Sequence, residues 1–370
     1  MLTKIVTWVL LALCCNYAIK LILILDWNKK AFTHGPGPCL PIPEITNGAE
    51  DMEVVWDNNF VIVSSGLRLP GQKDMKLVKG KLFLIDVSAG GNDLKVPHAK
   101  ELKIHPSKTF QPSTFNPHGI SAWTSPNGVV NLYVISHRPG GDTVECFTLK
   151  KDSKTLYHTR TIKDPLIYSA NDLVAIGPEK FYLTNDHYFR KSWMRTVEEY
   201  SLASLGSVIY FNGKKARIVD QWLQGPNGIA MHANKTFLYV AMPPMEIIRV
   251  YAVDFDDTIK RVSDISLMTS PDNVFFDMQH AELWTGCHPV AHMALDYLKN
   301  PKRPKAHSPS QVLRIRPAEN YSSWTVTEPY ADDGKELPGS SSAIYVRDQI
   351  LIGTIHDKLM WCPVPDRDLI

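Results

Sequence analysis

The sequence predicts an all-β fold, a six-bladed β-propeller preceded by an N-terminal hydrophobic helix. One pattern recurs six times, its spacing stays near 50 residues, and no long amphipathic helix interrupts the body. Each copy has a small or polar lead-in, a short apolar strand, a turn and a second apolar strand. Most turns carry Gly, Pro, Asn or Asp, as tight strand connections require. "NPHGISAWTSPNGVVNLYVISH" from Asn116, "SANDLVAIGPEKFYLTNDH" from Ser169, "GPNGIAMHANKTFLYVAMP" from Gly225 and "SPDNVFFDMQHAELWTGCHP" from Ser270 are the clearest copies. Segments from Gly48 and Pro338 are looser members. With Glu50, His118, Asn171, Asn227, Asn273 and Ser341 as markers, the intervals are 68, 53, 56, 46 and 68. Such periods in an all-β chain indicate one four-stranded blade per repeat. A β-sandwich with regular hairpins is the competing arrangement. Barrels and sheets built on crossover helices are disfavoured.

The N-terminal element comes first in the chain. From Ile5 to Leu25 the sequence is almost continuously apolar, broken by Asn16 and Lys20. Its 21 residues reach the roughly 20 that a helix needs to cross a bilayer. A cleaved signal has a shorter apolar region of about 7 to 15 residues and small residues at the cut. "CCNYA" is a poor cleavage site. Residues 1–26 therefore read as a signal-anchor or uncleaved signal helix, and 27–370 as the propeller, with cleavage and secretion as the alternative. Lys4 on one side and Lys29 with Lys30 on the other leave the orientation open.

The body is 370 residues less this leader. The whole chain is 44% hydrophobic, enough to bury a large core. Lys+Arg number 40 against 38 Asp+Glu, so no basic field points to nucleic acid. Six cysteines are present, Cys14 and Cys15 within the apolar segment, and no CxxC pair supports zinc or thioredoxin chemistry. Entry into an oxidising compartment would allow a disulfide between the two ends of the body, near Cys39 and Cys362. The sequons at Asn234 and Asn320 agree with a lumenal or extracellular body, anchored in the endoplasmic reticulum or plasma membrane, or secreted.

The lead-ins carry the chemistry. In a propeller the innermost strands run along a central channel, so a residue at the same point of every repeat joins a ring. Glu50, Asp51, Asn171, Asp172, Asn227, Asp272 and Asn273 put carboxylate and amide oxygens on that ring. Buried carboxylates repel one another and are costly to desolvate. A hard cation with six to eight oxygen ligands removes that cost, and calcium fits better than magnesium or zinc. The four acidic members suffice to neutralise two divalent ions.

At this point the sequence resembles the paraoxonases, calcium-dependent six-bladed propeller lactonases and arylesterases. The matching pieces are "FNPHGIS", "SANDLVAIGPEKFYLTNDHYF", "GPNGIA", "DN" at 272–273, "LWTGCHP" and "LIGTIHDKLMWC", in family order over most of residues 39–362. The resemblance implies two Ca²⁺ ions. A catalytic ion would be held by Glu50, Asn171, Asn227, Asp272 and Asn273. A deeper structural ion would take Asp51, Asp172 and the backbone carbonyl of Ile120. Cys39 and Cys362 match the family's closing disulfide, and Cys287 a cysteine left free near the site. Cys146 has no evident partner and is expected to be packed in the interior.

His118 and His137 fall at the family's proposed histidine dyad, with His187 and His288 at positions lining or supporting the cavity. The implied reaction is hydrolysis of a lactone or aryl ester, with Ca²⁺ polarising the carbonyl and His118, oriented by His137, taking a proton from water. No G-x-S-x-G elbow or H-E-x-x-H motif is present. The resemblance is weakest in the walls. "AMPPMEIIRV" (241–250) replaces a helix-compatible segment near the family's membrane-facing rim, and Pro243 with Pro244 disfavours a helix there. Gly225 replaces an aromatic wall residue, and the sequons fall away from the family's usual places. A second function class follows. Some invertebrate relatives resembling paraoxonases are membrane-anchored accessory proteins or chaperones for ion channels, which implies a membrane-protein partner. A sugar-lactone hydrolase of the related propeller type is a third.

Overall fold

Strands that are apolar on both faces must pack between two neighbours, and here every blade does so. The computed structural model describes all residues except 70–71, 73–77, 92–94, 151–153, 304–305, 319–322, 365 and 370. Six sheets surround an axis, each hydrogen-bonding consecutive antiparallel strands outward. Their innermost strands are Met52–Val55, Pro117–Thr124, Ala170–Gly177, Ile229–Met231, Ser270–Asp277 and Ser340–Val346. The β-propeller expectation holds.

Period-2 alternation sends successive side chains of one strand into different interblade cores. In Lys180–Asn185, Phe181 and Leu183 face the second blade, joining Ile135 and Tyr133, while Tyr182 faces the fourth, joining Leu238 and Val240. Six such cores fill the gaps around the ring, the one between the last and first blades holding Ile344, Leu351, Val61 and Phe83. At about 25 cal/mol per Å² of apolar area, these interblade contacts are the main favourable term for folding.

Two details depart from one four-stranded blade per repeat. The second blade has a fifth strand, Lys103–His105, which runs parallel to Thr155–Ile162 and covers that blade's outer edge. The sixth blade borrows its outer strand from the start of the body: Leu40–Pro41 pairs with Met360–Pro363, Leu40 opposite Trp361. Cys39 and Cys362 form a disulfide next to that pairing, with Cα atoms 4.3 Å apart and 323 residues between them.

Among the described residues, three α-helices decorate the ring. Helix α1, Leu2–Ile24, buries none of its residues and is apolar all round; at 1.5 Å per residue it is about 35 Å long, enough to cross a hydrocarbon core. Helices α2 (Ser192–Ser201) and α3 (Ala291–Lys299) are insertions on one face of the propeller. The sequence pattern gave no sign of either as a helix. Pro243–Met245 forms only a 3₁₀ turn, as its paired prolines require.

The chain leaving α1 is fastened to that same face. Asp26 is fully buried, and its Oδ2 accepts the Ala291 amide at 3.0 Å, so a residue 265 positions away caps the start of α3. The Leu25 carbonyl accepts from the His292 amide (3.0 Å), with the His292 Nδ1 2.8 Å away. Trp27 stacks on the His292 ring at 4.1 Å, and Lys29 bridges Asp26, Glu246 and the Met268 carbonyl.

Removing the ring closure should be felt throughout. For a loop this long the chain-entropy model gives the disulfide a contribution of about 5 kcal/mol. Cys39→Ser should therefore lower the urea midpoint and the thermal midpoint of the whole body in one transition. A midpoint equal to wild type would show that the borrowed strand closes the ring unaided.

Candidate active site and the anchored mouth

The lead-in residues gather because the same local irregularity recurs. In the second, third, fifth and sixth blades the pairing of the innermost strand slips at Pro117/Ile120, Ala170/Leu173, Pro271/Val274 and Ser340/Ser342. Each slip is a β-bulge, which re-aims side chains at the end of a strand. At each slip the intervening residues leave the ladder, which frees Asn171 and Asp172, or Asp272 and Asn273, to turn to the axis. The glycines of "PHGI" and "PNGI" serve the same crowding. A Cβ on Gly119 would lie 2.5 Å from Asp172 Oδ1, and one on Gly228 2.5 Å from the Cα of Asn273.

Consecutive residues divide between two cavities. An upper pocket of about 300 Å³ is floored by Glu50, His118, Asn171, Asn227 and Asp272. A lower cavity of about 170 Å³ opens at the opposite mouth and is lined by Asp51, Glu53, Ile120, Asp172 and Ile229. Across the upper floor the Asn273 side-chain amide donates to the Glu50 carbonyl and to Glu50 Oε1, both at 2.8 Å, and Ser341 Oγ donates to the Glu50 carbonyl at 2.8 Å. His288 Nε2 lies 3.0 Å from Asp272 Oδ2.

The floor is short of donors. Glu50 Oε2, Asn171 Oδ1, Asn227 Oδ1 and Asn273 Oδ1 are buried and have no hydrogen-bond donor among the described residues. Four acceptors from four blades, all unsatisfied at one place, fit an oxygen-seeking cation. No group of three or more His, Cys, Asp or Glu side chains is set to hold a metal among the described residues, because amides and carboxylates alternate in the ring.

One level down, the carboxylates have backbone donors. Asp51 accepts from the amides of Ile120 (2.7 Å) and Met52 (2.8 Å), and Asp172 from those of Ile229 (2.8 Å) and Leu173 (2.6 Å). Burial, reinforced by the Glu50 charge, still pushes Asp51 up to about 8, and burial with the Asp51 charge raises Asp172 well above the usual carboxylate range. Ile120 stands at this level through its amide, which donates to Asp51. Glu53, which sequence reading passed over, lies in the same cavity and is driven up to about 8 by burial and the Asp51 charge.

The two histidines meet. His118 Nδ1 is 2.8 Å from His137 Nε2, and His118 Nε2 is 3.4 Å from Glu50 Oε1. His137 Nδ1 is 3.0 Å from Asp142 Oδ1, whose other oxygen accepts the Ala170 amide at 3.0 Å. Burial opposes charge on His118, yet the Glu50 carboxylate outweighs it and holds the imidazole pKa above its usual value. Asp142 was missing from the sequence-based set. Its signal was present, since the tight turn within "SHRPGGD" places Asp142 directly opposite His137.

The walls are apolar and come partly from outside the propeller. Leu67 and Leu69 form one side, Ala291, Ala294, Leu295 and Leu298 of α3 another, and Leu21, Ile24 and Leu25 of the anchor's end complete the pocket. Pro243, Pro244 and Gly225 also line it. His187 and His288 are wall residues, as expected. Cys287 and Cys146 are buried and free. Asn234 is exposed on a hairpin of the fourth blade, next to His232 and Lys235 of the lower mouth, away from the anchor. Asn320 lies outside the described residues.

Comparison with known proteins decides the family. The arylesterase family model matches residues 35–364. The chain belongs to the paraoxonase/arylesterase family. It is 36% identical to serum paraoxonase/arylesterase 2 of Gallus gallus over 88% of both chains. It is 31% identical to mechanosensory abnormality protein 6 of Caenorhabditis elegans over 98% of this chain and 95% of that one. Among solved structures, a gluconolactonase from Xanthomonas campestris has a TM-score of 0.54 at 13% identity, covering 91% of this chain and 95% of that one, and shares the fold.

Helix α2 is held over the mouth by titratable groups of this family member. His187 lies 3.0 Å from Asp186 Oδ1 and 3.2 Å from Glu199 Oε1 on α2, and Arg195 of the same helix is 2.8 Å from Asp186 Oδ2. Burial works against the His187 charge, but Asp186 prevails and raises it to about 9. A raised pKa stabilises the folded contact fully below the ordinary value near 6.5, and that contribution is lost as pH rises through about 9. Hydrogen-exchange protection of 192–201 should fall between pH 7.5 and 10 in wild type and stay flat in His187→Gln. Equal profiles would rule out this tether.

Proposed function

We propose that the chain is a membrane-anchored arylesterase-family propeller acting as an accessory protein or chaperone for membrane proteins such as ion channels. The observation that carries this reading is the clamp at Leu25, Asp26, Trp27 and Lys29, which fixes the anchor to one mouth of the ring. A helix held this way presents a defined face to neighbours in the same bilayer. Trp27, Trp193 and Trp222 are exposed beside the residues that line that mouth, and tryptophan is one of the residues enriched at membrane interfaces. The match to the C. elegans mechanosensory protein runs over nearly the full length, anchor included, where the serum paraoxonases match 88%. The apolar helix and the disulfide agree with the secretory pathway.

A second reading is favoured by the Glu50–His118–His137–Asp142 series: calcium-dependent hydrolysis of lactones or aryl esters. Glu50, Asn171, Asn227, Asp272 and Asn273 would hold one Ca²⁺, and Asp51, Asp172 and the Ile120 carbonyl another. When bound, the upper ion would supply positive charge to a developing oxyanion. His118 would accept a proton from water at the ring nitrogen facing the pocket. His137, fixed by Asp142, would orient His118 and stabilise its charged form. The leucines of the walls would receive the alkyl part of the ester and exclude water.

Three outcomes test these readings. Co-expression with an ion-channel subunit should raise channel yield or surface current, His118→Gln should do so as well as wild type, and Asp26→Ala should lose the effect; unchanged yield with wild type refutes the accessory role. A panel of medium-chain lactones and aryl esters, with and without chelator, addresses catalysis. Calcium-dependent turnover that falls about 100-fold in His118→Gln supports the hydrolase, and an inert panel removes it. Chelator should lower the thermal midpoint of wild type, and by less in Asp172→Ala, which has already lost one of the two ions. A wild-type midpoint indifferent to chelator would eliminate the structural ion.

A further inference from the structure

Beyond the outer side of His137 lies a third, polar cleft of about 560 Å³. Arg68, Arg138, Arg190 and Arg195 line it, against one carboxylate, Asp142. Both oxygens of Asp142 are engaged, with His137 and the Ala170 amide. Arg138 lies 2.7 Å from buried Glu145, and Arg195 2.8 Å from Asp186. Arg68 and Arg190 have no carboxylate partner among the described residues. Arg68 donates to the carbonyls of Val78 (2.9 Å) and Phe115 (2.8 Å), and Arg190 Nε to that of Tyr168 (2.8 Å). Burial with no compensating acid pulls the Arg68 pKa down. Gly141, at φ 119°, leaves room for the second cation, since a Cβ there would lie 2.8 Å from Arg190 Nη2.

We propose that this cleft binds the carboxylate head of a medium-chain acid whose alkyl tail lies in the adjoining apolar pocket. Guanidinium groups offer a planar fork of donors that a carboxylate accepts on two oxygens, and two of the four here keep donors unmatched by any acid. Leu69, His137 and Arg195 belong to both spaces, so head and tail meet along one wall. The leucines around the axial pocket favour the alkyl chain. The assignment does not depend on turnover at the axis. A hydroxy acid released there and a free fatty acid taken from the membrane have the same recognisable parts.

The full-length protein in nanodiscs of neutral lipid, with Ca²⁺ present, would be titrated with octanoate by calorimetry, and with 1-octanol and inorganic phosphate as comparison ligands. Octanoate should bind wild type, and Arg190→Gln should weaken it about fivefold or more, while 1-octanol affinity stays the same. Arg68→Gln combined with Arg190→Gln should weaken octanoate further. Should that double variant fail to fold, Arg190→Gln decides alone, because exposed Arg190 holds only one carbonyl among the described residues. Octanoate binding is read by calorimetry without any ester turnover, so an inert lactone panel and a failed titration are separate results. Equal octanoate affinity in wild type and Arg190→Gln overturns the proposal, as does phosphate binding more tightly than octanoate.

Discussion

Four buried oxygens without donors, Glu50 Oε2, Asn171 Oδ1, Asn227 Oδ1 and Asn273 Oδ1, set the terms for the rest of this structure. Each comes from a different blade, so the ring must be closed and in register before they can share one point. An unsatisfied buried acceptor costs roughly 1–3 kcal/mol, more when charged. The repeated bulge, the glycines that admit a neighbouring strand, and the borrowed outer strand with its disulfide all exist at positions that hold this convergence. Loosening any blade would move one oxygen away from the others. A propeller whose axis is polar therefore needs tighter closure than one whose axis is filled by apolar side chains.

The anchor adds a second constraint to the same mouth. Asp26 is buried without exposure and caps α3, and α3 supplies four wall residues of the axial pocket. The end of α1 is thus part of the pocket wall, and the polar floor lies below an apolar collar partly made of the N-terminal apolar helix. Water that reaches the histidines must pass groups that hold it weakly. Such an arrangement strengthens every charge interaction at the floor, because the local dielectric is low. It also makes the pocket's shape depend on contacts 265 residues apart in the chain.

The sequence revealed the blades because each one repeats a local event, a turn followed by alternating apolar residues, and local events leave a period. It revealed the ring for the same reason. Asn171, Asn227 and Asn273 stand at one point of three repeats, and topology alone brings them together. Asp142 was legible in principle from the tight turn after His137, yet a lone Asp near a glycine pair reads first as a turn residue. The bulges were hidden, since a slipped register changes pairing without changing composition. The clamp between Leu25–Lys29 and Ala291–His292 was beyond reach, because neither segment repeats and nothing in either hints at the other. Glu53 escaped because in a strand of the inner ring outward and axial positions differ by one residue, and composition does not say which is which.

The histidine pair bears on both functions differently from the oxygens. A scaffold needs a cation at the axis to satisfy its acceptors, and it does not need an imidazole pair to do so. Yet the pair also joins three blades in sequence: Glu50 of the first reaches His118 of the second, His137 passes the contact to Asp142, and Asp142 accepts the Ala170 amide of the third. Removing His137 would leave Asp142 Oδ1 without its partner inside the mouth. The pair can therefore be retained for closure of the ring alone, and its presence in a chain does not by itself demand turnover. What separates the roles is the ring nitrogen of His118 that faces Glu50. Closure needs only that its contact stands, while proton transfer requires it to take and release a proton during a reaction.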